Sequence, residues 1–150
     1  MINIAIVGCG RILNAHLQGY KKLREAGFNN FRITALVARQ REDALMFLRR
    51  GEGPTPRPPV LAPETGDPLA APHTYLSDFQ DDVEVKVFTD YRQMLAEADV
   101  NAVNDFTTLA LHHQVGEESL KLGKHLLTQK PLAISVRGAQ RMVKLAHENK

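Results

Sequence analysis

Residues 2–7, INIAIV, run directly into Gly8-Cys9-Gly10 and from there into a helical pattern, and no other stretch narrows so far the folds open to this chain. Ile2, Ile4 and Ile6 fall on one face of an extended segment, Ala5 and Val7 on the other. Both faces are apolar, the pattern of a strand covered on two sides in a parallel sheet. Residues 12–26 change period: Leu13, Leu17, Tyr20 and Leu23 trace one helical stripe, and Gly27 follows as a stop. FRITALV at 31–37 is β-branched and apolar enough for a second interior strand. The order is β, α, β, with two glycines at the first turn.

The rest of the chain keeps alternating. Residues 40–50 predict a helix with Ala44, Leu45 and Leu48 on its apolar side, ended by Gly51. Between Gly51 and Pro72 stand seven of the eight prolines and three glycines, which no regular element tolerates. The stretch 51–82 therefore predicts a long loop or partly disordered excursion that interrupts the fold without starting a domain. A strand at 85–88 follows, then a helix with Tyr91, Met94 and Leu95, a strand from Val100 to Phe106, a helix at 111–122, a strand at 125–128 and a last helix from Val136 with Ser135 as its N-cap. Strands alternating with helices predict an open, doubly wound parallel α/β sheet, Rossmann-like in class.

Composition narrows the function classes. A chain of 150 residues is one domain, and with 43% hydrophobic residues it builds a core without disulfides or metals. A formal charge of +2 points to neither nucleic acid nor a membrane surface as the partner. One cysteine, Cys9, no leader-like start and no apolar run of membrane-spanning length predict a cytoplasmic protein.

The glycine turn suggests a ligand. After a first strand, Gly8 permits a tight turn, Gly10 lets backbone N–H groups approach a pyrophosphate, and the helix N-terminus adds partial positive charge. The alternative is a glycine-rich turn with no ligand. Leu13 stands where a third small residue normally lets the helix pack close, so either the helix stands off or Leu13 turns aside. The tip of the second strand reads Ala38-Arg39-Gln40-Arg41, with no acid for ribose hydroxyls. Arg39, supported by Arg41, suits a 2′-phosphate and hence NADP rather than NAD, unless this is only a solvated basic helix start. Cys9 is placed for oxidation, although its small apolar bulk explains it equally well. His112 and His113 point about 100° apart on a helix, with no further ligand completing a metal set, so no metal is expected.

Taken together, several spaced motifs resemble the N-terminal domain of the Gfo/Idh/MocA oxidoreductases. They are Gly8-Cys9-Gly10 with Ala15-His16-Leu17, Phe88-Thr89-Asp90-Tyr91, Val100 to Val103 leading to Thr107, His112, Leu122-Gly123-Lys124-His125-Leu126-Leu127, and Gln129-Lys130-Pro131-Leu132-Ala133. The resemblance covers the chain outside residues 51–82. It implies that Gly8, Gly10 and the backbone of Arg11 and Ile12 hold the pyrophosphate, and that Arg39 stands by the adenosine ribose. Thr107 and Thr108 would lie beneath the nicotinamide, and Lys130 would face nicotinamide ribose and substrate as the catalytic residue. A cis Lys130–Pro131 bond is implied as well.

The implied activity is that of an NAD(P)-dependent oxidoreductase acting on a secondary alcohol or carbonyl of a sugar, polyol or related small molecule. The resemblance also implies a sixth strand and a C-terminal substrate domain, both missing from residues 1–150, so that the chain alone is expected to be inactive and to self-associate through the edge of its last strand or through the face left exposed. Gln129 stands in place of the family's Glu before Lys-Pro, and Thr108 in place of the Pro of its Thr-Pro turn. Asn104 and Asp105 occupy a strand that is usually apolar, where buried polar groups need partners. These departures keep open a second class, a non-catalytic dinucleotide-binding module serving as sensor or assembly partner.

Overall fold

A computed structural model of the chain describes residues 1–149. Five parallel strands, β1 (Ile2–Val7), β2 (Phe31–Val37), β3 (Lys86–Phe88), β4 (Ala102–Asp105) and β5 (His125–Thr128), lie in the order β3-β2-β1-β4-β5. The connecting helices are α1 (Leu13–Glu25), α2 (Arg41–Leu45), α3 (Tyr91–Glu97) and α4 (Leu109–Lys121), and α5 (Val136–Glu148) follows the last strand. This is the Rossmann-like class read from the alternation. The sheet order reverses direction at β1, so the first turn opens at the point where such folds hold their ligands.

Alternation along the strands divides the core. Ile4, Ile6 and Ile33 face one side, where Leu13 and Leu17 of α1 pack with Phe47 and Leu76. Ala5, Val7, Ala35 and Val37 face the other, against Tyr91, Met94, Leu95 and Val115. Leu13 is fully buried, so it turns aside into the core. Leu23, at the end of the same stripe, is left exposed, and α1 stops at Gly27 with φ +90°, a conformation glycine adopts without steric cost. The Ser135 hydroxyl accepts the Gly138 N–H at 3.1 Å and caps α5.

One expectation needs correction. The second helix ends at Leu45 rather than Arg50. Beyond it Met46 and Phe47 turn inward and are buried, and the carbonyls of Phe47 and Leu48 accept the N–H groups of Leu76 and Ser77 at 2.8 and 3.0 Å. Tertiary burial of Phe47 and pairing with the returning chain outweigh local helix propensity.

The insertion is the long excursion expected, without α-helix or strand, and carries short 3-10 turns at Pro63–Thr65, Pro68–Ala70 and Leu76–Asp78. Its returning part joins the core. Ala70, Thr74, Leu76 and Gln80 are buried, and the Gln80 amide pairs with both backbone groups of Ile33, donating to the carbonyl at 2.8 Å and accepting the N–H at 3.0 Å. β3 reaches only as far back as Ala35, so one side-chain amide takes the place of the strand missing beside Ile33. No helix among the described residues is long and apolar enough to cross a membrane.

Candidate functional site

The carboxyl ends of all five strands lie on one edge of the parallel sheet, and the candidate residues gather there. At its centre β1 passes into Gly8, whose N–H donates to Val37 O at 2.8 Å. Gly8 has φ +103°, and a Cβ there would lie 2.5 Å from the Phe106 carbonyl oxygen, so only glycine fits between β1 and β4. Gly10 is the opposite case: a Cβ there would meet no atom within 4 Å. Among the described residues, the N–H groups of Cys9, Gly10, Arg11 and Ile12 donate to no protein acceptor. A closed first glycine, an open second one and a run of unpaired donors at the start of α1 together suit a phosphate group.

Cys9 itself points away from solvent. It is buried, its thiol donates to Val37 O at 3.6 Å, and burial, reinforced by the Asp43 carboxylate, pushes its pKa up to about 12. The expectation of an oxidisable thiol is thereby corrected: the side chain is core.

The tip of β2 departs from expectation in one respect. Arg39 is exposed and its side chain makes no hydrogen bond or ion pair among the described residues. Arg41 does not support it. Its guanidinium donates to Val87 O at 3.0 Å, on the edge strand β3, whose outer side pairs with no strand among the described residues. The cation that does approach the glycine turn comes from the insertion: Arg57 donates to the Cys9 carbonyl at 3.4 Å and is ion-paired with Asp43 in α2. Beside it, Arg11 donates to the Pro58 carbonyl. Sequence reasoning missed both Asp43 and Arg57, which nothing in local spacing relates.

On the other side of Gly8 the ends of β4 and β5 are tied by polar contacts. Asp105 is fully buried, and one of its carboxylate oxygens accepts the Thr107 N–H at 3.0 Å and the Thr107 hydroxyl at 2.6 Å. The other oxygen accepts the Thr128 hydroxyl at 3.4 Å. Burial holds the Asp105 carboxyl above its usual range, while the Thr107 bonds and the nearby His112 pull it back. Buried His112 lies between two carbonyls, with Nε2 3.1 Å from Thr107 O and Nδ1 2.9 Å from Pro131 O. The Lys130–Pro131 bond is cis, in keeping with the resemblance.

Lys130 is exposed directly after β5, on the same sheet edge as Gly10. Gln129 before it gives its N–H to Asp105 O at 3.1 Å and its amide nitrogen to His16 Nε2 at 2.7 Å. The His16 ring stacks on Phe106 at 3.9 Å, and burial lowers its pKa. Thr107 is half-buried and Thr108 exposed at the mouth of this cluster. Asn104 finds a partner too, donating to the Tyr20 hydroxyl. No group of metal-binding side chains occurs among the described residues.

A parallel sheet that reverses at β1, with an open glycine turn at that point, defines an α/β domain of the dinucleotide-binding class. Residues 69–150, more than half of the chain, match the oxidoreductase family with an NAD-binding Rossmann fold, and the chain belongs to that Gfo/Idh/MocA family. A 1,5-anhydro-D-fructose reductase from Ensifer adhaerens is 36% identical over 63 residues, covering 42% of this chain and 19% of the reductase. The WlbA dehydrogenase from Bordetella pertussis, solved with NADH and UDP-GlcNAcA, superposes with a TM-score of 0.65 at 22% identity, over 99% of this chain and 32% of its own. A 3-ketoreductase variant from Actinomadura kijaniata, solved with TDP-benzene and NADP, gives 0.65 at 21% identity, over 99% and 34%. At such identities the likeness to solved structures shows the fold. The chain spans about a fifth of the curated relative and about a third of these solved ones.

Proposed function

We propose that residues 1–150 are the nicotinamide-dinucleotide-binding domain of an oxidoreductase acting on a secondary alcohol or carbonyl of a sugar, polyol or related small molecule. The observation that carries this reading is the contrast between Gly8, closed against Phe106 O, and Gly10, open beside four unpaired N–H groups. The nicotinamide, when bound, supplies or takes up the hydride. The chain's part is to bind and orient it: the N–H groups of residues 9–12 receive pyrophosphate oxygens, and Thr107 and Thr108 underlie the nicotinamide. The Lys130 ammonium donates to the substrate oxygen, polarising a carbonyl or sharing a proton with an alcohol. Arg39 favours NADP over NAD by contact with a 2′-phosphate.

In this reading the substrate site is completed by a C-terminal domain outside residues 1–150, the chain alone is inactive, and the protein works in the cytoplasm. The open edge of β5, with exposed Leu127 beside a groove of about 380 Å³ lined by Leu126, Leu132, Met142 and Val143, favours self-association. Titration with NADH and NADPH, followed by nicotinamide fluorescence, tests the central claim. Binding is expected for the chain and lost in Gly10→Val, whose side chain fills the open side of the turn. Failure of the chain to bind either dinucleotide overturns the reading.

One observation favours the second class. Gln129, where the resemblance implies Glu, is held by His16, and among the described residues Lys130 forms no ion pair. A non-catalytic module would bind dinucleotide tightly and transfer no hydride even with a substrate domain supplied, whereas a catalytic domain would transfer it.

A further inference from the structure

The proline-rich insertion enters the candidate site at one place. Arg57 spans the carbonyl of Cys9, in the glycine turn, and the carboxylate of Asp43, one turn of chain beyond the β2 tip. In a dinucleotide-binding β-α-β unit the pyrophosphate lies at the glycine turn, and the ribose hydroxyl is met by a residue further along the same unit. A guanidinium that links the turn to the start of α2 therefore borders the path between them, delivered from a different segment than the strand tip. Arg57 and Asp43 are about one-third exposed, at 36% and 32% of their side-chain surface, so an incoming ligand can reach both. The Arg11 contact to Pro58 O holds the segment in place against the turn.

We propose that the Arg57–Asp43 pair is the selector between the two dinucleotides. This rests on the reading of the chain as a dinucleotide-binding domain. Towards NADP, the guanidinium fork exchanges a singly charged carboxylate for the 2′-phosphate, which carries more charge and more acceptor oxygens. Towards NAD, Asp43 accepts a hydrogen bond from the 2′-hydroxyl and Arg57 stays paired with it. The two residues thus push the choice in opposite directions, and Arg39 acts beside them from the strand tip.

The test measures dissociation constants of the chain for NADPH, NADH and adenosine 2′,5′-bisphosphate, a probe that carries the 2′-phosphate without the nicotinamide. Arg57→Ala is expected to weaken NADPH and the bisphosphate by roughly tenfold to a hundredfold, with NADH changed little. Asp43→Asn is expected to shift preference the other way, tightening NADPH and weakening NADH. Arg57→Lys should recover part of the NADPH affinity, since it keeps the charge but loses the fork. Thermal melting of each variant separates a binding defect from a folding one. Equal effects of Arg57→Ala on NADPH and NADH, or none on either, would overturn the selector while leaving dinucleotide binding intact. Absence of binding to both dinucleotides by the unaltered chain would overturn the underlying reading and the selector with it.

Discussion

The two flanks of the glycine turn are built on different physics. Around Asp105 the central groups are enclosed: a buried carboxylate accepts three hydrogen bonds, and a buried imidazole lies between two carbonyls. Around Arg57 the same kinds of group meet at the surface, in a partly exposed ion pair and one long contact to a carbonyl. Enclosed networks hold geometry, because losing a partner strands a desolvated group. Exposed pairs add little to stability but exchange partners freely. The flank that carries Thr107 and leads into Lys130 is thus fixed, and the flank reached by the insertion is replaceable.

The sharpest way to break this arrangement is at the hinge between the flanks. Gly8→Ala introduces a Cβ 2.5 Å from the Phe106 carbonyl oxygen at φ +103°, and the combined strain and overlap should cost about 3 kcal/mol or more, read as a fall in denaturation midpoint. Asp105→Ala comes next. It leaves the Thr107 N–H and two hydroxyls without their acceptor, with an expected loss of about 1–3 kcal/mol in denaturant unfolding. If that variant were as stable as the unaltered chain, the description of this flank as rigid would fail.

A third prediction concerns pH. Burial lowers the pKa of both His16 and His73 below the ordinary 6.5, so the unfolded chain binds protons first. Their neutral forms cost nothing in this respect above pH 6.5; as pH falls below it, stability should decline until the folded-state values are reached. His16→Gln should flatten part of that slope in melting curves taken between pH 7 and 5. Asp105, with its raised value, acts oppositely at lower pH, because the folded state takes up its proton first. Smallest of all, Arg57→Ala should change stability by only about 0–1 kcal/mol, less in high salt. A larger loss would mean that the surface flank is structural after all.

Much of the fold is legible along the chain because β1, β2 and the helices that follow them declare themselves by period. The same reasoning fails after Leu45, where Phe47 is drawn inward by a contact with Leu76, far along the sequence. Gly8 and Gly10 can be singled out from the strand before and the helix after them. Asp105 is visible as a polar residue in an apolar strand with Thr107 two residues on, although its other partner, Thr128, emerges only when β4 and β5 come together. Asp43 and Arg57 carry no such mark: a helical acid and an arginine among prolines meet only through the path of the insertion.

The Gln80 amide beside Ile33 has a consequence for how this chain tolerates change in length. Residues up to about 69 are mostly exposed, and loop-closure entropy grows slowly with length, so that part can be shortened or extended at little cost to folding. From Ala70 onward the same excursion supplies buried side chains and the missing hydrogen bonds of an interior strand. Drift in length should therefore accumulate on the outbound stretch alone, while the homeward one keeps its spacing to Gln80. An excision ending before Ala70 should leave a foldable domain that has shed Arg57, and one running through Gln80 should leave Ile33 facing a gap.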